Sequence, residues 1–254
     1  MKVEIKVNPN YSHLSDFIGS IPHNFDQLGE VIFSGRNEIR GVHANELHIT
    51  IKYFRRIFWA NRIIFATIRK SKAQRSFENS NRLLANGIDT PVPIAYINTY
   101  RFGLLYKSYY ICLFSDLKPI KELFALPIPL SENGLKAFAR FSFKLHELGI
   151  FHNDFNLSNI LYRQAGQEYT FSLIDNNRIK FSEYTTRKGL KNLRRLPLPA
   201  DRVGIVGEEY AKAANTNNIR TLFAMILFRL QFQNKRFFQK SLKKLLRPKL
   251  PIHK

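Results

Sequence analysis

Residues 151–162 read FHNDFNLSNILY and carry His152, Asp154 and Asn159 in the spacing H-x-D-x-x-x-x-N. An aspartate so placed can accept the proton of an attacking hydroxyl. An asparagine five residues on can hold a metal ion against a nucleoside triphosphate, so the chemistry would be phosphoryl transfer. Thirteen residues after Asn159 a β-prone run from Ser172 to Asp175 ends in a second acid. One strand, a short turn and a second strand would bring Asp175 back beside Asn159 as the other metal ligand. The competing reading is an ordinary turn rich in Asp and Asn. His152 reads more readily as a brace for the loop than as a general base.

Phosphoryl transfer depends on positioning and charge neutralisation more than on covalent chemistry, so cationic and orienting groups should lie upstream. The run Leu47 to Phe54 alternates with period two, with Leu47, Ile49 and Ile51 on one face and His48, Thr50 and Lys52 on the other. Lys52 would reach the nucleotide phosphates. Glu78, 26 residues later on a helix-like segment 72–85 with Gly87 just past its end, would hold Lys52 by an ion pair. Taken singly, Lys52 is a solvated strand lysine and Glu78 a surface helix residue; their order ahead of the loop gives them weight. Thr50 shares the face of Lys52 and would line the nucleotide site, which is expected between two lobes. Phe114, Ser115 and Leu117, in the connector 114–117, would lie against the base. Gly35, in Ser34-Gly35-Arg36-Asn37, lets backbone approach phosphate closely, although an ordinary hairpin accounts for that turn equally well. Asn159 and Asp175, as hard oxygen ligands, suit Mg2+ or Mn2+ with ATP as donor, and Asp154 would be the base.

The elements that must position these groups change character along the chain. Short strands are expected at 31–33, 38–42 and 106–114. Pro91 and Pro93 open an extended region. A helix capped by Ser131 should run to about Leu148, with Leu135, Phe138, Phe141 or Ser142, Leu145 and Leu148 buried and Gly149 ending it. This predicts an α+β, two-lobed chain: residues 1–115 a β-rich nucleotide-binding lobe, and residues 116–254 a mainly helical lobe with catalytic loop, metal site and basic tail.

The 254 residues suffice for a large core, and 44% hydrophobic against 23% charged content reads as globular. Cys112 is the single cysteine, which excludes an intramolecular disulfide and suits a reducing compartment. The start MKVEIKVNPN has no apolar core of a signal peptide, and the longest apolar run, 222–228, is too short to span a bilayer. A net charge of +21 calls for an anionic partner. One basic cluster runs through Lys52, Arg55, Arg56, Arg62, Arg69, Lys70, Lys72 and Arg75. The other holds Lys235, Arg236, Lys240, Lys243, Lys244, Arg247, Lys249 and Lys254 without an acid. Within the latter, segment 236–247 mixes Phe237, Leu242, Leu245 and Leu246 with lysines, and reads equally as membrane-surface helix or as a final helix packed on the core. No zinc spacing or nucleic-acid signature accompanies the charge, so the sequence does not point to nucleic acid as the partner.

These residues together resemble the bacterial lipopolysaccharide core kinases, the Kdo and heptose kinases of the protein-kinase-like superfamily. The resemblance rests on Asn156 two residues after Asp154, on the block from Ser71 to Pro93 (SKAQRSFENSNRLLANGIDTPVP), and on Asp175 and Arg178 of Asp175-Asn-Asn-Arg178. Asn176 and Asn177 depart from the family's Asp-Phe-Asp-Arg; Asn176 stands where an aromatic packs, and Asn177 replaces an acid. The resemblance covers about residues 30–195 and implies a protein-kinase-like fold and ATP-dependent phosphorylation of a sugar hydroxyl of the lipopolysaccharide inner core. It implies an anionic glycolipid substrate and a cytoplasmic protein, peripheral on the inner face of the inner membrane. A protein kinase, including a tyrosine or autophosphorylating one, and a non-catalytic pseudokinase or anion-binding scaffold are the alternatives.

Overall fold

The computed structural model describes residues 2–55 and 70–245. Arg56, Arg62 and Arg69 of the first basic cluster, and Leu246, Arg247, Lys249 and Lys254 of the second, lie outside the described residues, as do the side chains of Lys243, Lys244 and Leu245.

Two compact units emerge. Of the described residues, the first takes those up to Pro119 together with 159–163 and 170–179, and the second takes the rest. Asn159 and Asp175 therefore belong to the unit that carries Lys52, an assignment that a single cut at residue 115 cannot express.

The first unit is built on a six-stranded antiparallel sheet in the order β1-β5-β6-β4-β3-β2. Its strands are β1 (Lys2–Val7), β2 (Glu30–Ser34), β3 (Glu38–Ala44), β4 (Leu47–Tyr53), β5 (Pro93–Arg101) and β6 (Leu104–Leu113). Period-two alternation in β4 sends Ile49 and Ile51 into one core, where Leu14, Ile18 and Ile21 of the N-terminal segment and α1 (Ser15–Asn24) cover the sheet. The opposite face holds Tyr96, Tyr110 and Cys112 and packs on Ala73 and Phe77 of α2 (Lys72–Ala85). Thr50 and Lys52 pair with Cys112 and Tyr110 across the β4–β6 ladder, so both stand on the α2 face. Burial there pushes the Cys112 thiol up to about 12, which keeps it an inert core residue.

The α2 boundaries follow from its ends. The Ser71 hydroxyl accepts from the Gln74 N–H at 3.0 Å, and Gly87 takes the left-handed conformation (φ 66°) in which the Ile88 N–H returns to the Leu83 carbonyl. By contrast, β1, its pairing with β5 and α1 had no local signal in the sequence reading.

The second unit contains α3 (Ile120–Ala125), α4 (Ile128–Glu147), α5 (Thr186–Leu193), α6 (Ala200–Ala213) and α7 (Asn218–Leu245). Helix α4 starts three residues before the expected cap at Ser131. Pro129 fits a first helical turn, and the buried Ser131 hydroxyl donates back to the Pro127 carbonyl at 3.1 Å. Its buried face is Leu135, Phe138, Ser142 and Leu145, whereas Leu148 at the helix end is 40% exposed. The apolar run 222–228 and the described part of the basic tail, 235–245, lie on one continuous 28-residue helix, α7. Among the described residues no helix is long and apolar enough to cross a membrane.

Candidate active site

The two-residue strand β7 (Lys118–Pro119) pairs with β9 (Ile160–Ala165), which pairs in turn with β10 (Glu168–Leu173), the short β8 (Ile150–His152) preceding them in sequence. The β9–β10 hairpin returns the chain to its start: the Ile174 N–H donates to the Asn159 carbonyl at 3.0 Å, so Asp175 follows directly beside Asn159. Asp175 sits in the left-handed region (φ 59°, ψ 43°), uncommon for a residue with a side chain and tolerated best by Asn and Asp. Its Oδ1 accepts from Lys52 Nζ at 2.6 Å, across 123 residues of sequence, and Asn177 Nδ2 donates to the same oxygen.

Glu78 does not fill the expected role. The buried face of α2 is Ala73, Ser76, Phe77, Ser80 and Leu83. Glu78, one position past Phe77, turns about 100° away at 3.6 residues per turn. Its carboxylate accepts from Lys70 Nζ at 2.8 and 2.9 Å and from Gln74 Nε2 at 3.2 Å, near solvent. The ion-pair partner of Lys52 is Asp175.

Helix α2 instead grips the Asp175 segment through other side chains. Arg75 Nη1 donates to the Asn177 carbonyl (2.8 Å) and Asn79 Nδ2 to the Asn176 carbonyl (2.7 Å). Asn176 itself is buried, and its Nδ2 donates to Ser80 Oγ (2.9 Å) and Thr90 Oγ1 (2.8 Å). Ser80 Oγ also accepts from the Tyr110 hydroxyl (3.0 Å), and Thr90 Oγ1 donates to the Leu173 carbonyl (2.7 Å). A polar network thus occupies the place an aromatic takes in the family pattern.

Lys72, the first residue of α2, was read only as a member of the first basic cluster and not as a site residue. Burial lowers its pKa, the nearby positive charges of Arg36 and Arg178 lower it further, and Asp175 partly offsets them. The ammonium groups of Lys52 and Lys72 lie 5.4 and 5.7 Å from the Phe54 ring centroid. A lysine in the first turn of a helix opposes the helix dipole, and that unfavourable placement was the available signal. Gly35 and Arg36 lie in the bend between β2 and β3, where the Gly35 N–H donates to the Asn37 carbonyl at 3.0 Å. The Phe114 ring stacks on His48 at 3.9 Å, and residues 114–117 form an irregular connector before β7, with the Leu117 N–H 3.5 Å from Ser115 Oγ.

For a divalent ion, Asp175 offers a carboxylate and Asn159 an amide oxygen. Among the described residues no cluster of three or more His, Cys, Asp or Glu side chains stands ready to hold a metal. A donor set of one carboxylate and one amide fits Mg2+, which takes one or two protein ligands and completes its shell with water and phosphate oxygens.

In the second unit, residues 152–158 are tied by short side-chain bonds. The Asp154 N–H donates to His152 Nδ1 (3.1 Å), so that nitrogen acts as acceptor and His152, 1% exposed, braces the loop. Asn156 Nδ2 donates to the Asp154 carbonyl (3.0 Å), while its Oδ1 accepts the Ser158 N–H (2.9 Å). Phe155 anchors the loop from a fully buried position stacked on Phe138. The Asp154 carboxylate stays 24% exposed and accepts from Arg195 Nη1 at 3.3 Å. Arg195, one of the pair Arg194-Arg195, was also passed over; adjacent arginines in a basic chain give little signal alone.

The profile of the lipopolysaccharide kinase (Kdo/WaaP) family matches residues 33–215, well over half of the chain. The 3-deoxy-D-manno-octulosonic acid kinase of Haemophilus influenzae is 29% identical over 152 residues, covering 56% of this chain and 62% of that protein. Its counterpart in Mannheimia succiniciproducens is 28% identical over 155 residues, covering 58% and 61%. The chain thus spans about three fifths of the length of these curated relatives. A solved structure of WaaP in complex with acyl carrier protein superposes with a TM-score of 0.61 at 14% identity, covering 96% of this chain and all of that one, which establishes a shared two-lobed, kinase-like α+β fold. By the extent of the profile match, the chain belongs to the lipopolysaccharide kinase (Kdo/WaaP) family.

Proposed function

We propose that this protein transfers the γ-phosphoryl group of ATP to a hydroxyl of 3-deoxy-D-manno-octulosonic acid (Kdo) on a lipopolysaccharide-type glycolipid. The observation that carries the reading is the meeting of Lys52 Nζ with Asp175 Oδ1 at 2.6 Å, one backbone hydrogen bond from Asn159. The choice of Kdo over heptose rests on the two relatives that bear its name.

In this scheme Lys52 and Lys72, with Arg36 and Arg178 near, neutralise the triphosphate. Thr50, Gly35 and the connector residues Phe114, Ser115 and Leu117 line the nucleotide site. Asn159 and Asp175 would hold Mg2+, which supplies charge neutralisation at the phosphates. Asp154, with the Arg195 guanidinium 3.3 Å from its Oδ1, takes the hydroxyl proton. As that proton leaves, the sugar oxygen bonds to the γ-phosphorus and the bond from phosphorus to the β–γ bridging oxygen breaks, releasing ADP. Glu78 acts in this scheme only indirectly, through the end of α2.

The seat of the enzyme is inferred to be peripheral, on an anionic membrane surface at the cytoplasmic face. Support comes from α7, where Ile219, Phe223, Ile226, Leu230 and Phe237 are exposed at helical spacing among arginines and lysines.

The test is incubation with labelled ATP and Mg2+ in the presence of Kdo-bearing glycolipid, heptose-bearing glycolipid or protein acceptors. Label is expected in the Kdo-bearing glycolipid. Label confined to heptose or to protein would overturn the choice of acceptor.

A further inference from the structure

Beside Asp154 the second unit carries a groove of about 320 Å³ that the scheme above leaves unused. Five of its ten lining residues are cationic, namely Arg194, Arg195, Arg229, Arg236 and Lys240, and none is acidic. Phe232 lines it too. The guanidinium carbons of Arg194, Arg195 and Arg236 lie 5.5, 5.2 and 5.7 Å from the centroid of that one ring. No two of the three can therefore be more than about 11 Å apart, close to the Debye length of ~8–10 Å at ordinary ionic strength. Three cations gathered about one aromatic ring repel each other, and the ring's quadrupole compensates only weakly. An anion placed among them removes that repulsion. Arg229 is already engaged, donating to the Leu198 carbonyl. Arg195 is shared: it lines the groove and its Nη1 reaches Asp154 Oδ1 at 3.3 Å. Whatever anion the groove holds is thus one side chain away from the candidate base.

We propose that this groove binds the carboxylate of the acceptor sugar acid, and that Arg194 and Arg236 are its specificity-determining residues. The proposal rests on the Kdo reading above, since an octulosonic acid carries one carboxylate together with its hydroxyls. Planar guanidinium forks match a carboxylate, and a groove of this volume lies at the lower end of the roughly 300–1,000 Å³ of small-molecule sites. Binding the carboxylate there holds the sugar with a hydroxyl facing Asp154, and Phe232 offers an apolar wall to the ring.

The experiment measures binding of free Kdo and of its methyl ester to the whole protein, and steady-state transfer to the Kdo-bearing glycolipid. It compares wild type with Arg236→Gln and Arg194→Gln/Arg236→Gln. Wild type should bind the acid at least ~10-fold more tightly than the ester, the worth of a charge-assisted hydrogen bond. The double variant should bind acid and ester alike and show an acceptor KM raised ~10–100-fold, with the KM for ATP within twofold. Lys121→Gln, an exposed lysine outside the groove, should match wild type. Thermal melts are recorded for each variant; because Arg236 is exposed, the single variant separates lost binding from lost folding. Equal binding of acid and ester by wild type, or an undiminished preference in the variants, overturns the proposal. Inorganic phosphate displacing Kdo at lower concentration than Kdo's own Kd would assign the groove to a phosphate and likewise overturn it. Carboxylate-selective binding without any phosphoryl transfer would sink the kinase reading and leave the groove standing, whereas transfer with a carboxylate-blind KM would sink the groove alone.

Discussion

Acidification should destabilise this protein through one buried histidine. His146, on α4, is fully buried, with Nε2 3.2 Å from Asn192 Oδ1 and Nδ1 2.9 Å from the Tyr210 hydroxyl. The Asn192 amide is oriented by its other end, since Nδ2 donates to the His152 carbonyl at 3.0 Å. Oδ1 can only accept, so His146 carries its proton on Nε2 and accepts the Tyr210 O–H at Nδ1. Both ring nitrogens are then satisfied in the neutral form. Burial brings the pKa down to about 4 from 6.5, against a partial upward pull from Asn192. The unfolded chain therefore binds a proton that the folded chain refuses between these values. The resulting stability is fully present above pH 6.5 and is lost as pH falls toward 4. At ~1.4 kcal/mol per pH unit, the span amounts to about 3 kcal/mol. Urea unfolding followed by far-UV circular dichroism at several pH values from 7 to 4 measures it in wild type and His146→Gln. Carboxylates titrate in both proteins, so the difference between the two curves isolates the histidine. Wild type should lose about 3 kcal/mol more than the variant across the window. Parallel curves would refute the argument. The same amide's bond to the His152 carbonyl ties the effect to the loop that carries the candidate base Asp154, so turnover in the variant should fall alongside.

Asp154→Asn should lower transfer ~10²–10⁴-fold with ATP affinity retained, the usual worth of a positioned base; near-normal turnover would remove that role. Asp175→Asn should abolish Mg2+-dependent turnover without a loss of helical signal in circular dichroism, and full activity would show the metal assignment to be wrong. Asn79→Ala should impair turnover more than Glu78→Gln, because Asn79 holds the Asn176 carbonyl while Glu78 meets Lys70 near solvent, where such a pair is worth only ~0–1 kcal/mol; the reverse order in kcat would restore the Lys52–Glu78 pairing. Ile219→Ser/Phe223→Ser, at side chains 78% and 64% exposed, should weaken binding to anionic vesicles ~10-fold or more with helix content unchanged, and undiminished vesicle binding would count against a peripheral seat.

What the sequence revealed and concealed divides along physical lines. Local periodicity and a terminating glycine exposed β4 and α2, because Ile49 and Ile51 alternate with Thr50 and Lys52 and because Gly87 ends a helix-like segment. The return of Asp175 to Asn159 was legible because a hairpin of this length has few other geometries. The place of β1 was not: its partner residues on β5 lie 88 to 98 positions on, from Val7↔Ala95 to Lys2↔Tyr100, and no local pattern encodes which edge a strand joins. The partner of Lys52 was hidden for a related reason. Spacing puts Glu78 on the right helix, but the face a residue presents depends on the helix's rotation against the sheet, which Ala73 and Phe77 set by packing on Tyr96 and Cys112.

The two family departures, Asn176 and Asn177, take on meaning in that light. An aromatic at position 176 would be held by apolar contact, which tolerates sliding. Here the position is held by directional bonds from Asn176 Nδ2 to Ser80 and Thr90, and the backbone on either side is held by Asn79 and Arg75. Each bond is modest alone, about 1 kcal/mol net, but each constrains an angle as well as a distance. They converge on the residues immediately after Asp175, whose left-handed backbone needs surroundings that over-determine it. Asn177 adds a bond from its own side chain to the Asp175 carboxylate, and so points that oxygen toward Lys52. In this chain the helix that carries Glu78 orients the candidate metal ligand through its neighbours Arg75, Asn79 and Ser80, and the Lys52–Asp175 pair closes the arrangement from the sheet side.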